Sequence, residues 1–506
     1  MLELRNVNIR LRQRDRQIIE NLDLTLNPND KAAVIGEEGN GKSTLLKLIY
    51  NDDMVESYCD WSGHIIRKGR IGYLSQSMDN AFSNQSLSDY FSEYVTGLHH
   101  DVFAQLGLPP DAAASDQVIK TLSGGEKVKV QLALILMSQP DILLLDEPTN
   151  DIDIDTLKWL EAFIIKSKLP IMFVSHDETL IENTANMIIH LELLVNKTRS
   201  RVTVARTGYV DYIASRERSY AKQIEIAHKQ HEEYSIKAEK WSRIYNRVDH
   251  EQRVISRADP GGGRLLKKKM KSVKSQGKRL EKQYKQLPDI PQTEDAIFVS
   301  FTENISVPKS KMILDAAIDN LSIGDKMLAK NIHLSVTGNE HTGIIGKNGI
   351  GKSTLLRQIW EMLAERSDIT ACYMPQDYTE KLDPDISPVE FLARNYSKDD
   401  VTRARTHLGS MRFTHDEMTG WIRELSGGQK SKMLFLDMVI KNANVLILDE
   451  PTRNFSPLSG PVIRKTLRAF KGTIISVSHD RKYLDEVCDK VYELTCGGLI
   501  TLRSQR

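Results

Sequence analysis

Residues 36–44 read GEEGNGKST, and residues 346–354 read GKNGIGKST. They open a series that runs twice through the chain in the same order. LSGGE at Leu122–Glu126 recurs as LSGGQ at Leu425–Gln429, ILLLDEPT at Ile142–Thr149 as VLILDEPT at Val445–Thr452, and VSHD at Val174–Asp177 as VSHD at Val477–Asp480. The spacings repeat with the motifs: 24 residues separate Ser123 from Glu147 and Ser426 from Glu450, and 29 separate each glutamate from His176 or His479. Order and spacing together identify an internal duplication. Within each half, short apolar runs that end at a motif (Ala32–Ile35, Ile142–Leu145, Ile171–Val174) predict strands buried on both faces, and Thr44–Tyr50 predicts a helix after the first of them. The fold class read from this pattern is α/β, two tandem P-loop ATPase domains.

The motifs carry their own chemistry. In GxxGxGK[ST] the glycines let backbone N–H groups close around phosphates at a helix N-terminus. The phosphate-binding candidates are therefore Gly36, Glu37, Glu38, Gly39, Asn40, Gly41, Lys42, Ser43 and Thr44, and Gly346, Lys347, Asn348, Gly349, Ile350, Gly351, Lys352, Ser353 and Thr354. Lys42 and Lys352 reach the β/γ-phosphates, and Ser43 and Ser353 offer hydroxyls to Mg²⁺. Asp146 and Asp449 end apolar strands and hold the magnesium, directly or through water. Glu147 and Glu450 follow them, placed to polarise an attacking water, and His176 and His479 are placed to touch the γ-phosphate.

Between the halves the texture changes. Residues 213–286 contain 20 Lys+Arg against 9 Asp+Glu, whereas the whole chain of 506 residues nets only +1. That segregation points to a basic element that meets a polyanion. Apolar residues at helical spacing (Tyr220, Ile224, Ala227, His231; Trp241, Ile244, Tyr245, Val248) predict two long helices, with the turn at the breaker-rich Ala258–Gly263. Lys267, Lys268, Lys269, Lys271, Lys274, Lys278 and Arg279 form a polycation suited to RNA phosphates. Leu265, Leu266 and Met270 beside the turn either contact bases or pack across the hairpin. No apolar run approaches the ~20 residues of a membrane span. The first twelve residues do not read as a signal peptide. Cys59, Cys372, Cys488 and Cys496 form no CxxC pair, so the expectation is a cytoplasmic protein without a cysteine-held metal.

Taken together, the Walker A, LSGG signature, Walker B and switch-histidine motifs resemble the ATP-binding cassette (ABC) superfamily. Gln76 and Gln376 match its Q-loop. The resemblance implies ATP and Mg²⁺ as cofactors, with Gln76 and Gln376 joining the metal shell, and a head-to-tail pairing of the halves. One site then joins Gly36–Thr44, Gln76, Asp146, Glu147 and His176 to Ser426, Gly427 and Gly428. The other joins Gly346–Thr354, Gln376, Asp449, Glu450 and His479 to Ser123, Gly124 and Gly125. Two features depart from the family pattern. No aromatic residue lies in 1–49 or 302–359, where a ring usually stacks on adenine, which leaves ATP against GTP preference open. The loop after the second DEPT reads Arg453-Asn454-Phe455-Ser456-Pro457, against Asn150-Asp151-Ile152-Asp153 in the first half.

Excision-repair and ribosome-recycling members would need cysteine clusters, and chromosome-maintenance members a far longer coiled coil. A transporter ATPase would need membrane domains. The chain resembles instead the ABC-F class, soluble tandem cassettes with a basic helical linker that act on ribosomes. That resemblance implies large-subunit rRNA and P-site tRNA as partners, with the linker near the peptidyl-transferase centre, no membrane and no obligate protein partner. The expected domains are 1–211, a linker at 212–290, and 291–506. Only 34 residues separate Lys42 from Gln76, against 24 between Lys352 and Gln376, and 27 follow His479. A short first-cassette arm with a long linker leans towards the antibiotic-resistance branch, with a housekeeping translation factor as the alternative.

Overall fold

Apolar runs that do not alternate need cover on both faces, and in this protein they become the middle strands of two sheets. The structure is a computed structural model that describes residues 1–12, 15–92, 100–194, 199–254, 260–284, 301, 306–393 and 397–504. In the first half the strands are β1 (Leu2–Leu11), β2 (Arg16–Leu26), β3 (Lys31–Ile35), β4 (Cys59–Arg67), β5 (Ile71–Leu74), β6 (Ile142–Asp146), β7 (Ile171–Val174), β8 (Met187–Leu194) and β9 (Arg199–Ala205). The second half adds β10 (Met312–Ile323), β11 (Lys326–Thr337), β12 (His341–Gly346), β13 (Ala371–Met374), β14 (Val445–Asp449), β15 (Thr473–Val477), β16 (Lys490–Thr495) and β17 (Gly498–Ser504).

The two main sheets have the same topology: β5-β6-β7-β3-β8-β9 and β13-β14-β15-β12-β16-β17. Both are parallel except for the antiparallel last pair. Every residue of β3, β6, β7, β14 and β15 is buried. Each fully buried aliphatic side chain there stabilises the fold by roughly 1.5–3 kcal/mol. The two halves differ in their flanking antiparallel layer. The first has three strands in the order β2-β1-β4, and among the described residues the second has only β10-β11. The longer Lys42–Gln76 segment is thus used up by β4, β5 and a one-turn helix (Asp53–Glu56).

By internal packing the chain divides into two compact units, Met1–Tyr209 with Glu294–Arg506, and Val210–Thr293. The second unit is built from two helices, Tyr209–Val254 (46 residues) and Pro260–Tyr284 (25 residues). At ~1.5 Å per residue they run roughly 70 and 38 Å. Val248, Met270 and Val273 are buried together, with Trp241 and Tyr245 packed on them. The Trp241 Nε1 donates to the Val273 carbonyl at 2.8 Å, and Gly277 makes room for the indole: a Cβ there would sit 2.7 Å from its Cζ2.

One reading of this segment is corrected. Pro260–Gly263 are not the turn but the first helical turn of the return arm, while Ala258 and Asp259 lie outside the described residues. Proline suits that place because a first-turn N–H has no intrahelical partner to lose. Ile244 is not on the buried seam, being 47% exposed. Of the three apolar residues near the turn, Met270 packs across the hairpin and Leu265 is 71% exposed. The seven cations from Lys267 to Arg279 are all exposed, with Lys269 3.6 Å from Glu251. No helix among the described residues is long and apolar enough to cross a membrane.

Candidate functional site

Each P-loop leaves a buried strand and turns into a helix, Lys42–Tyr50 or Lys352–Ala364. Gly36 can be nothing else: its φ is 145°, and a Cβ would lie 2.2 Å from the Leu191 carbonyl oxygen. Gly41 and Gly351 cap the helices with left-handed φ of 89° and 103° and no side-chain cap. The first-turn N–H groups therefore lack a side-chain acceptor, the arrangement that receives an anion. Lys42 Nζ folds over its loop to donate to the carbonyls of Gly36 (2.8 Å) and Glu37 (3.1 Å). Lys352 does the same with Gly346 (2.8 Å) and Lys347 (3.0 Å).

The oxygen donors fit a magnesium ion. Ser43 Oγ donates to Asp146 Oδ1 at 2.8 Å, and Tyr73 donates its hydroxyl to Oδ2 at 3.1 Å. In the second half Asp449 Oδ2 is buried with no hydrogen-bond partner. Burial raises the pKa of both aspartates, opposed by Ser43 and Tyr73 at Asp146 and by Ser353 and Lys352 at Asp449. A hard divalent cation matches such oxygens and relieves the cost of their charge.

The two glutamates share a strained backbone but not their surroundings. Glu147 and Glu450 have left-handed φ of 49° and 53°, rare for a residue with a Cβ and common at functional positions. Their N–H groups donate to Val174 O (3.1 Å) and Val477 O (2.9 Å). The Glu147 carboxylate receives Asn150 Nδ2 (2.7 Å) and Gln76 Nε2 (3.1 Å) and lies 3.2 Å from His176 Nε2. Burial pushes its pKa up, but the hydrogen bond and charge of His176, with Lys42 and Asn150, prevail and hold it at about 2. Glu450 accepts from the His479 N–H at 3.2 Å and Ser478 Oγ at 3.4 Å, while its Oε1 is buried without a partner, 3.8 Å from His479 Nε2. Burial and neighbouring Asp449 push Glu450 up to about 8, and burial with Lys352 pulls His479 down to about 4.

The two halves meet head to tail. In what we call site one, Gly428 N–H donates to Glu38 Oε2 at 2.5 Å, and His176 Nδ1 lies 2.8 Å from the Phe455 carbonyl, which accepts from it. Site two is a cavity of about 670 Å³, the size of a nucleotide pocket. It is lined from one half by Ser123, Gly124, Asn150 and Asp151, and from the other by Asn348, Gly349, Gly351, Lys352, Ser353, Thr354, Gln376, Asp449, Glu450 and His479. Across it Asn348 Nδ2 donates to Asp151 O (2.6 Å), and Arg453 pairs with Asp151 Oδ1 at 3.0 Å.

Some expected residues stand apart from the cavity. Gly346, Lys347 and Ile350 do not line it, and Gly125 faces Thr156, where a Cβ would come within 2.5 Å of Oγ1. The side chains of Ser123 and Ser426 are engaged in capping boxes with Glu126 and Gln429. The Glu37 and Glu38 side chains reach the opposite half. Sequence reading missed Tyr73, Ile323 and Lys326. Tyr73 comes from the strand beside β6, and Ile323 and Lys326 line site two from the β10–β11 turn, where an aromatic ring is absent. Only strand pairing brings these three to the site.

Paired phosphate loops, metal-binding aspartates, placed glutamates and cross-donated signature helices define a tandem P-loop ATPase. The ABC transporter family profile matches residues 19–150 and 329–453, half of the chain, and the protein belongs to that family. It is similar to ABC transporter F family member 5 of Arabidopsis thaliana, 25% identical over 97% of this chain and 75% of that one. It is also similar to the ATP-binding protein Uup of Buchnera aphidicola subsp. Acyrthosiphon pisum, 29% identical over 96% of this chain and 79% of that one. Among solved structures, the archaeal ribosome recycling factor aABCE1 in complex with the archaeal ribosomal stalk protein aP1 shares the fold, with a TM-score of 0.60 at 16% identity over 98% of this chain and 90% of that one. The relatives place the chain with the ABC-F class, and its reaction is ATP hydrolysis.

Proposed function

We propose that this ABC-F ATPase binds ATP with magnesium at both composite sites and uses the cycle to work on the ribosome. The basic hairpin enters near the P-site tRNA and the peptidyl-transferase centre and protects the large subunit from antibiotics. At each site the P-loop N–H groups and Lys42 or Lys352 hold the phosphates. Glu147 or Glu450, in its ionised form, orients the attacking water and receives its proton, and His176 or His479 steadies the transferred phosphoryl group. The bound magnesium supplies neutralisation of phosphate charge. Because each site takes residues from both halves, loading favours the closed pair and product release favours opening.

The observation that carries this reading is the joining, in one chain, of two-sided nucleotide sites with a helix whose cations from Lys267 to Arg279 are all exposed. Exposed cations bind RNA by releasing counterions, so the affinity falls steeply with salt. The test replaces Lys267, Lys268, Lys269 and Lys271 with Gln and measures co-sedimentation with ribosomes over a salt series. We expect weaker binding and a salt slope shallower by about one unit for each phosphate no longer neutralised. Unchanged binding across the series would reduce the segment to a solvated helix face. Growth of a susceptible host under lincosamide, pleuromutilin, streptogramin A and macrolide challenge tests the protective role. No protection against any of them leaves a translation factor.

A further inference from the structure

The first P-loop departs from the second at three positions, two of them acidic: Glu37 and Glu38 stand where Lys347 and Asn348 stand in the repeat, and Asn40 where Ile350 stands. Both carboxylates turn to the opposite cassette. Glu37 Oε1 accepts from Ser456 Oγ (2.8 Å) and Ser459 Oγ (2.5 Å), and Lys432 Nζ lies 3.9 Å from Oε2. These contacts tie the loop to the segment after the second DEPT motif and fix where the next residue points. Glu38 Oε2 then accepts from the Gly428 N–H at 2.5 Å, at the start of the 14-residue signature helix Gly427–Ile440. The approach is close: a Cβ on Gly427 would lie 3.3 Å from the same oxygen, a tight contact. In site two Asn348 instead donates to Asp151 O, and Ser123 and Gly124 face the cavity.

A signature helix offers its N-terminal N–H groups and positive dipole end to an anion. In site one a protein carboxylate already takes that place. We propose that Glu38, anchored through Glu37, is a built-in competitor for nucleotide at site one, so that site two loads first and site one loads only when the Glu38–Gly428 hydrogen bond is given up. This rests on the reading of the two composite sites as ATP sites, and it adds an order to them. A charged hydrogen bond and the repulsion between a carboxylate and a polyphosphate both act against binding at site one.

The test uses the full chain with a fluorescent, slowly hydrolysed ATP analogue and magnesium. Lys352→Ala leaves site one to report, and Lys42→Ala leaves site two. We expect the Lys42→Ala protein to bind at least about tenfold tighter than the Lys352→Ala protein, the size of one charged hydrogen bond. Adding Glu38→Gln or Glu38→Asp to Lys352→Ala should tighten site one by about the same factor, because the amide is neutral and the aspartate too short. A merely structural Glu38 would give the opposite sign, since loosening the loop weakens nucleotide binding. Equal affinity of the two single variants, or no gain from Glu38→Gln, overturns the proposal while leaving the ATP sites standing. Absence of binding in both lysine variants, with wild type binding normally, would overturn the assignment of separate sites and the proposal with it. Glu38 is exposed, so neither substitution threatens the fold.

Discussion

Removing Arg464 should weaken the contact between the two cassettes. Its side chain is 4% exposed, and its guanidinium pairs with Glu178 of the first cassette at 2.8 Å and with Glu486 at 2.9 Å. Glu178 also faces Lys482 at 3.0 Å, and Lys482 reaches Glu182 at 2.6 Å. Breaking a buried pair by removing one partner costs about 3–5 kcal/mol where the other is left alone. For Arg464→Met, Lys482 still faces Glu178, so the expected loss is near the lower bound, about 3 kcal/mol. Glu178→Gln costs less, about 1.5 kcal/mol, because Arg464 keeps Glu486 and Lys482 keeps Glu182. The double variant should lose about 3 kcal/mol, giving a coupling of about 1.5 kcal/mol between the two sites. The assay is urea denaturation of all four proteins at two salt concentrations. The coupling should survive 1 M salt, where the Debye length of ~3 Å removes exposed pairs but hardly reaches a buried one. Strictly additive losses, or a coupling that vanishes in salt, would refute the claim that this contact is buried and specific.

Glu147→Gln and Glu450→Gln should each slow turnover by about 10²–10⁴-fold at the affected site, and the double variant should keep ATP binding; hydrolysis by the double variant at the wild-type rate would remove both glutamates from the chemistry. The single variants should differ, since an amide at 147 would meet the donors Asn150, Gln76 and His176, while Glu450 has a carboxylate oxygen with no partner to lose. In the hairpin, Gly277→Ala should destabilise despite a helix-propensity gain of about 1 kcal/mol, because the new Cβ would lie 2.7 Å from the Trp241 ring. Faster proteolysis within the hairpin of the full-length protein is the expected result, and increased protection would show that the ring yields.

The duplicated motifs alone determined the α/β class, the count of two ATPase domains and the elements that carry each motif. They could do so because a P-loop needs particular glycines at particular spacings and a central strand needs an unbroken apolar run, both local requirements. Helix content and charge of the linker were legible for the same reason. The seam of the hairpin was less so: Ile244 fits the helical period yet faces water, because the period names a stripe and the partner helix decides which part of it is covered. Tertiary structure decided most of the difference between the two sites. Glu147 and Glu450 occupy identical motifs with identical spacing, yet one sits among Asn150, Gln76 and His176 and the other has a buried oxygen with no hydrogen-bond partner; Asn150, where the repeat has Arg453, is legible in the sequence, whereas Gln76 and His176 are brought in by other strands and His176 is held by the Phe455 carbonyl of the opposite cassette. Glu37 and Glu38 likewise read as members of a phosphate loop until the facing half is in place. Their carboxylates bond to Ser456, Ser459 and Gly428, hundreds of residues away, because the halves pair head to tail, an arrangement no local pattern encodes.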